Sequence, residues 1–292
     1  MSIKINSLQK RYNSHTVLAG INMTIEDGMF GLLGRNGAGK TTLMRILATL
    51  IKPTNGTVVF NEIPIDNTKE IRKIIGYLPQ DFSFYPDMTV YESMQYVAAL
   101  SQVPTIMQNN RIPQLLKQVN LWEEKKKKVG RLSGGMKRRL GIAQAMLHDP
   151  KVLIVDEPTI GLDPEERLRF YNLLEGYSEN RIVILSTHIV ADIEATCERV
   201  GVLDSGNLVF EGTINHLAEY AKEKVFELTV LKNEQDIVQK RYHVLSSQSS
   251  LGKIKMRVLS DNYPILGNPV LCSPTVEAGY MQLLRKLDRE EK

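Results

Sequence analysis

The sequence predicts an α/β fold with a mostly parallel sheet, and three observations carry that prediction. A short apolar run of strand type, Met29-Phe30-Gly31-Leu32-Leu33, feeds a glycine-rich loop that opens a helix of apolar period over Thr42 to Leu47. A second continuous apolar run, Lys151 to Val155, has the character of a strand buried on both faces and ends in two carboxylates, Asp156 and Glu157. At 292 residues and 42% apolar content, the chain can bury one large core and something smaller besides.

The elements follow in chain order. Ile3 to Leu8, Ile21 to Ile25 and Thr57 to Phe60 read as strands, the last after the turn signal Pro53-Thr54-Asn55-Gly56; together they predict a small antiparallel β subdomain beside the parallel core. Gly34-Arg35-Asn36-Gly37-Ala38-Gly39-Lys40-Thr41 satisfies GxxxxGK[ST] at every required position, which predicts a P-loop NTPase core with ATP or GTP as its ligand. Gly34, Gly37 and Gly39 let the backbone turn its N–H groups inward, and the helix N-terminus adds about half a positive charge toward the phosphates. The nucleotide-binding set is then Gly34, Asn36, Gly37, Ala38, Gly39, Lys40, Thr41 and Thr42. Lys40 reaches the β- and γ-phosphates, and the Thr41 hydroxyl ligates Mg²⁺.

From about residue 81 to 148 the pattern turns helical, with amphipathic spacing over Thr89 to Leu100 and Ile112 to Val119. Tyr77, Phe82, Phe84, Tyr85 and Met88 cluster around and just after Gln80, and two readings fit them equally: an exposed groove for a partner helix, or core packing. Lys125 to Lys128, Arg131 and Lys137 to Arg139 form a cationic stretch, read either as a solvated helix face or as a dock for an anionic membrane surface or partner protein. Leu132-Ser133-Gly134-Gly135-Met136 opens a second helix, with Ser133 as its cap and a bare Gly134-Gly135 backbone able to approach a phosphate. At the carboxyl end of the strand 151–156, Asp156 is placed to hold Mg²⁺ through its water shell, and Glu157 to polarise a water for in-line attack.

Phosphate loop, LSGGM and an apolar strand ending in Asp-Glu, in that order, resemble the nucleotide-binding subunit of an ATP-binding-cassette (ABC) transporter over residues 1–220. The resemblance gives four further residues a role. Tyr12 matches the aromatic that stacks on adenine, and Gln80 the glutamine that senses γ-phosphate and Mg²⁺ beside the membrane partner's coupling helix. Asp163, in Gly161-Leu162-Asp163-Pro164, matches the aspartate of the loop crossing the dimer interface, and His188 the histidine that contacts the γ-phosphate. The signature departs from many members in carrying Met136 where they carry glutamine. The resemblance also implies a head-to-tail dimer enclosing two ATP molecules, with Ser133 and Gly135 of one subunit closing over the nucleotide held by Lys40 of the other. It implies separately encoded, multi-spanning permease subunits as partners and a second copy, or a homologous ATPase subunit, as the other half of the motor. The inserted helices correspond to the family's helical subdomain.

Beyond Glu223 the motifs stop. Val225 to Val230, Tyr242 to Leu245 and Ile254 to Leu259 alternate as strands, and Ser273-Pro274 opens a helix with Val276, Tyr280, Leu284 and Leu287 on one face. A C-terminal α+β accessory domain over 221–292 is the expectation, of a kind found in the bacterial branch that exports drugs, peptides or ions.

Composition narrows the function classes. A net charge of +4 does not by itself imply nucleic acid, and Cys197 and Cys272 stand alone without CxxC spacing or a His cluster, so neither a disulfide framework nor a structural metal is expected. No stretch approaches the ~18 apolar residues of a membrane helix, and Met1-Ser2-Ile3-Lys4 runs straight into strand-like sequence, so the chain is expected in the cytoplasm, peripheral on the inner face of the membrane. The competing class is a soluble ABC ATPase acting on a protein scaffold or nucleoprotein. One cassette and no heptad run set the chain apart from translation and DNA-repair members, and the C-terminal appendage argues mildly against a scaffold ATPase.

Overall fold

The computed structural model describes residues 1–159, 161–250 and 252–290. Leu251, Glu291 and Lys292 of the expected accessory region, and Ile160 of the cassette region, lie outside the described residues. The chain divides into two compact units, Met1–Glu211 and Gly212–Lys292.

The first unit begins with β1 (Ser2–Tyr12), β2 (His15–Glu26), β3 (Gly28–Gly34), α1 (Lys40–Leu47), β4 (Asn55–Phe60), β5 (Ile63–Pro64), α2 (Thr68–Ile74) and β6 (Ile75–Leu78). The helical insertion follows as α3 (Val90–Leu100), α4 (Thr105–Gln118) and α5 (Gly134–Ala145). Then come β7 (Val152–Asp156), α6 (Pro164–Ser178), β8 (Ile182–Thr187), α7 (Val190–Thr196), β9 (Arg199–Asp204) and β10 (Asn207–Thr213). Among the described residues, β2-β1-β4-β5 form one antiparallel sheet and β10-β9-β3-β8-β7-β6 the central one.

The two sheets differ as their sequences do. β1 alternates through Ile3 and Ile5, then shifts register before Leu8, so a bulge keeps all three side chains in the core. β7 and β8 are buried at every position, which is what a strand covered on both faces requires. β3 pairs in parallel with β8 and β9, and β7 with β6 and β8. Leu33 lies opposite Thr187 and Asp156 opposite Ser186, so Gly34, Asp156 and Thr187 emerge together at the carboxyl edge of the sheet. In an open α/β sheet that edge is where ligands bind.

The insertion is helical for local reasons. Thr89 caps α3 in a capping box: its hydroxyl accepts from Glu92 N at 3.2 Å, and its own N–H donates to Glu92 Oε2 at 2.8 Å. α4 starts earlier than the expected Ile112, because the turns from Thr105 to Arg111 carry little apolar period and leave Ile106 and Met107 exposed, while Ile112, Leu115 and Leu116 bury the other half. Phe82 and Phe84, together with Tyr77, line an open cleft of about 220 Å³ beside Gly141 and Gln144. Tyr77 also packs on the main core, and burial beside Asp156 pushes its hydroxyl up to about 12. Tyr77 therefore serves both the cleft and the core, while Tyr85 is exposed.

His148 closes the same cleft and donates from Nε2 to Ile75 O at 2.8 Å. Burial holds its pKa below the ordinary 6.5. The unfolded chain then takes up a proton that the folded chain resists, so stability falls as pH drops below 6.5. In His148→Gln, the amide keeps a donor without the titration. The urea midpoint of this variant is expected to fall less than the parent's between pH 7 and pH 5; equal falls would remove His148 from that slope.

In the second unit, α8 (Ile214–Glu219), β11 (Val225–Leu231), α9 (Gln235–Arg241), β12 (His243–Ser250), β13 (Lys253–Leu259), β14 (Val270–Leu271) and α10 (Val276–Glu290) follow in order. The sheet runs β12-β13-β11-β14 with antiparallel pairs, and Phe226, Leu228, Val230, Val238, Ile254, Met256 and Val258 make its own core. β12 continues past Leu245 through Ser246-Ser247-Gln248-Ser249, a polar stretch carried by its ladder with β13 rather than by apolar alternation. α10 starts two residues after Pro274 and is capped by Thr275, whose hydroxyl accepts from Ala278 N at 3.2 Å. Val276, Tyr280 and Leu284 are buried as their spacing implies. No helix among the described residues is long and apolar enough to cross a membrane.

Candidate active site

The loop after β3 folds as its glycines dictate. Gly37 and Gly39 take φ of 83° and 104°, a left-handed conformation that other residues enter at a cost, and at Gly39 a side chain would meet Val17 O at 2.9 Å. Asn36, Gly37, Ala38, Gly39, Lys40, Thr41 and Thr42 line a cleft of about 410 Å³ that also receives Val17, Gln80, Glu157 and His188. Residues far apart in the chain thus face one volume. Gly34 stands just outside it, as the acceptor that holds Lys40: Lys40 Nζ donates to Gly34 O at 2.7 Å and Arg35 O at 3.2 Å.

Glu157 is the centre of the charge arrangement. It is 4% exposed and sits at φ 48°, a left-handed backbone unusual for a residue with a side chain. Its N–H donates to Ser186 O at 2.9 Å. Oε1 lies 3.4 Å from Lys40 Nζ, and Oε2 accepts from His188 Nδ1 at 2.9 Å. A carboxylate set between a lysine and a histidine at the mouth of a phosphate loop has the proximity that general-base work needs. Gln80 and His188 are exposed on the cleft.

Asp156 lies beneath this layer with no exposure, and neither carboxylate oxygen has a hydrogen-bond partner among the described residues. Burial raises its pKa, against the downward pull of the Ser186 and Thr41 hydroxyls beside it; Glu157 pushes the same way as burial and Lys40 opposes. An unpartnered buried carboxylate next to the Thr41 hydroxyl is a costly arrangement for the empty protein. It fits a hydrated divalent cation.

The other expected residues lie apart from the cleft. Tyr12, at the end of β1, is 45% exposed with Lys10 Nζ 4.9 Å from its ring centre. Ser133 caps α5 by accepting from Met136 N at 3.2 Å, and Asp163 caps α6 by accepting from Glu166 N at 2.8 Å. Gly134 has open space where a side chain would go, whereas at Gly135 one would run into the Glu166 carboxylate, which also takes Arg139 Nη2 at 3.2 Å. Two helix N-termini, those of α5 and α6, are thus packed together away from the phosphate loop of the same chain.

Two residues that sequence reasoning passed over tie these parts together. Asp192, fully buried at the start of α7, accepts from Thr159 Oγ1, Tyr171 Oη and Thr187 Oγ1, joining the segment after Glu157 to the one before His188. Arg138 is buried and donates to three backbone carbonyls, of Gln80, Glu157 and Pro158. Arg138 read as one more charge in a basic stretch. Only the fold shows that it faces inward.

This geometry defines a nucleoside-triphosphate-hydrolysing cassette of the P-loop class, with its phosphate loop, acidic strand end and histidine in one cleft. The ABC transporter family model matches residues 18–160. The chain is 36% identical over 273 residues to the bacitracin transport ATP-binding protein of Bacillus licheniformis, covering 86% of this chain and 88% of that one. It is 35% identical over 218 residues to a Nod factor export ATP-binding protein of Ralstonia nicotianae, covering 74% and 68%. Among solved structures, a dimeric ATP-binding cassette in a post-hydrolysis state with ADP and phosphate superposes with a TM-score of 0.66 at 25% identity, covering 72% of this chain and 98% of the other. The chain belongs to the ABC transporter ATP-binding subunits and is an ATP-binding and ATP-hydrolysing motor subunit.

Proposed function

We propose that this chain drives export through separately encoded, multi-spanning membrane subunits, from a peripheral position on the inner face of the membrane. Relatives named for bacitracin transport and Nod factor export support that direction. The observation that carries the mechanism is Glu157, gripped between Lys40 and His188 at a phosphate-loop cleft whose own chain keeps Ser133, Gly135 and Asp163 elsewhere. A second copy, or a homologous ATPase subunit, presents those residues across a head-to-tail dimer with two ATP molecules between them.

Each part then has a task. The N–H groups from Asn36 to Thr42 cradle the phosphates, the Gly34 carbonyl steadies Lys40, Lys40 neutralises the β- and γ-oxygens, and Tyr12 stacks on adenine. Thr41, Asp156 and Gln80 would hold Mg²⁺, which supplies charge neutralisation on the phosphates when bound. Glu157 orients the attacking water and takes its proton, while His188 and Gln80 meet the γ-phosphate. Ser133, Gly134 and Gly135 close over the partner's nucleotide and exclude water, which strengthens every charge contact in the site.

Ser133→Arg places a bulky cation at the α5 N-terminus, outside the cleft of its own chain. Hydrolysis is expected to stop while ATP binding by the isolated subunit survives, measured with a fluorescent ATP analogue. Lost binding in the monomer would overturn the trans arrangement. The transporter reading is tested by affinity capture from detergent-solubilised native membranes: a multi-spanning protein in stoichiometric amount supports it, and soluble partners alone overturn it.

A further inference from the structure

Arg138 sits one turn into α5, about 7.5 Å along the axis from Ser133 at 1.5 Å per residue. It is 8% exposed, and its three nitrogens are all used: Nε donates to Pro158 O at 2.9 Å, Nη1 to Gln80 O at 2.7 Å and Nη2 to Glu157 O at 2.6 Å. Its guanidinium carbon also lies 5.4 Å from the Phe82 ring centre. Burial opposes the charge and draws its pKa down, with Asp81, Asp156 and Glu157 partly offsetting that cost. A buried cation is an expensive way to hold a helix in place when an apolar side chain would pack there. A planar fork of N–H donors, by contrast, can hold several carbonyls in one fixed geometry.

The three carbonyls belong to the segments that carry Gln80 and Glu157, which act on the chain's own ATP. The helix bearing Arg138 presents its N-terminus, Ser133 to Gly135, to the ATP of the other subunit. We propose that Arg138 is a positioning residue that couples the two ATP sites of the dimer. Closure of α5 on the partner's nucleotide is passed by the rigid first turns of the helix to the backbone of Gln80 and Glu157, setting the catalytic carboxylate of one site according to the occupancy of the other. The backbone of Glu157, at φ 48°, is held at both ends, by Ser186 O on its N–H and by Arg138 on its carbonyl, so a small shift of α5 reorients the residue. This inference rests on the head-to-tail dimer proposed above.

The test is the ATP dependence of hydrolysis by the full chain, in the parent, Arg138→Gln and Arg138→Lys, with ATP binding to the subunit measured alongside. The parent curve is expected to be cooperative, with a Hill coefficient of about 1.5 or more against a maximum set by two sites. Both variants, which lose the three-carbonyl grip, are expected to bind ATP within about twofold of the parent and to hydrolyse it with a Hill coefficient of about 1. If glutamine prevents folding, the lysine variant, which keeps the charge, carries the reading. A cooperative parent curve that stays cooperative in the folded variants overturns the coupling alone. A non-cooperative parent curve overturns the coupling whatever the variants do, and if Ser133→Arg then leaves hydrolysis unchanged the dimer falls with it, whereas if Ser133→Arg stops hydrolysis the dimer stands.

Discussion

Glutamine in place of Glu157 is expected to slow ATP turnover by at least ~10²-fold, the scale for loss of a positioned base, while ATP binding is kept. The amide fills the space of the carboxylate and can still meet His188 Nδ1, so the cleft keeps its shape, but it cannot take a proton from water. A second effect follows from the ion pair. Lys40 Nζ is 3.4 Å from Glu157 Oε1 and bonded to Gly34 O and Arg35 O, so its ammonium is shared between the loop and the carboxylate. Removing that negative charge frees Lys40 for the phosphates and takes away a repulsion toward them. ATP affinity should therefore equal or exceed the parent's. Single-turnover phosphate release and equilibrium binding of ATP measure the two effects separately; near-normal turnover would remove Glu157 from its role, and weakened binding would contradict the ion-pair argument.

The same residue shows where the sequence was legible and where it was not. Gly34 to Thr42, Asp156 and Glu157 could be read because each belongs to a short contiguous pattern with a physical reason for its spacing, whereas His188 was legible only through the family resemblance; the parallel strands β3, β7 and β8 then bring them to one edge. What could not be read is the wiring between patterns. The hydrogen bonds from Arg138 span 20, 58 and 19 residues of sequence, and Asp192 reaches back 33 residues to Thr159. Neither has a local signal: a basic residue in a basic stretch and an aspartate in a helical first turn are ordinary in sequence. In the second unit the missed elements are those without apolar period, such as the serine-rich end of β12, which exists because β13 offers a ladder.

Asparagine at position 156 should have opposite effects on stability and on activity. In the empty protein, Asp156 is a fully buried carboxylate whose oxygens lack partners and whose pKa is raised chiefly by burial. The fold therefore binds this proton more tightly than the unfolded chain does. Its stabilising contribution is present at low pH and is lost as pH rises above the ordinary carboxylate value of 3.8 through the raised one. Asp156→Asn removes the charge and with it the pH-dependent penalty, so the empty variant is expected to melt higher, by about 2–4 °C for each ~1 kcal/mol regained in a chain of this size. The cost appears on the other side. A residue that orients the water shell of a metal typically contributes 10–100-fold to its affinity, so the rise in melting temperature that Mg²⁺ and ATP together give the parent should shrink, and hydrolysis should fall with it. Thermal melts with ATP alone and with ATP plus Mg²⁺ separate the two effects. A lower melting temperature in the empty variant would mean that the Ser186 and Thr41 hydroxyls and Lys40 already compensate the carboxylate. A higher one would show that this acidic strand end is strained when empty and is relieved by the cation it is placed to hold, as functional sites kept at the expense of stability are.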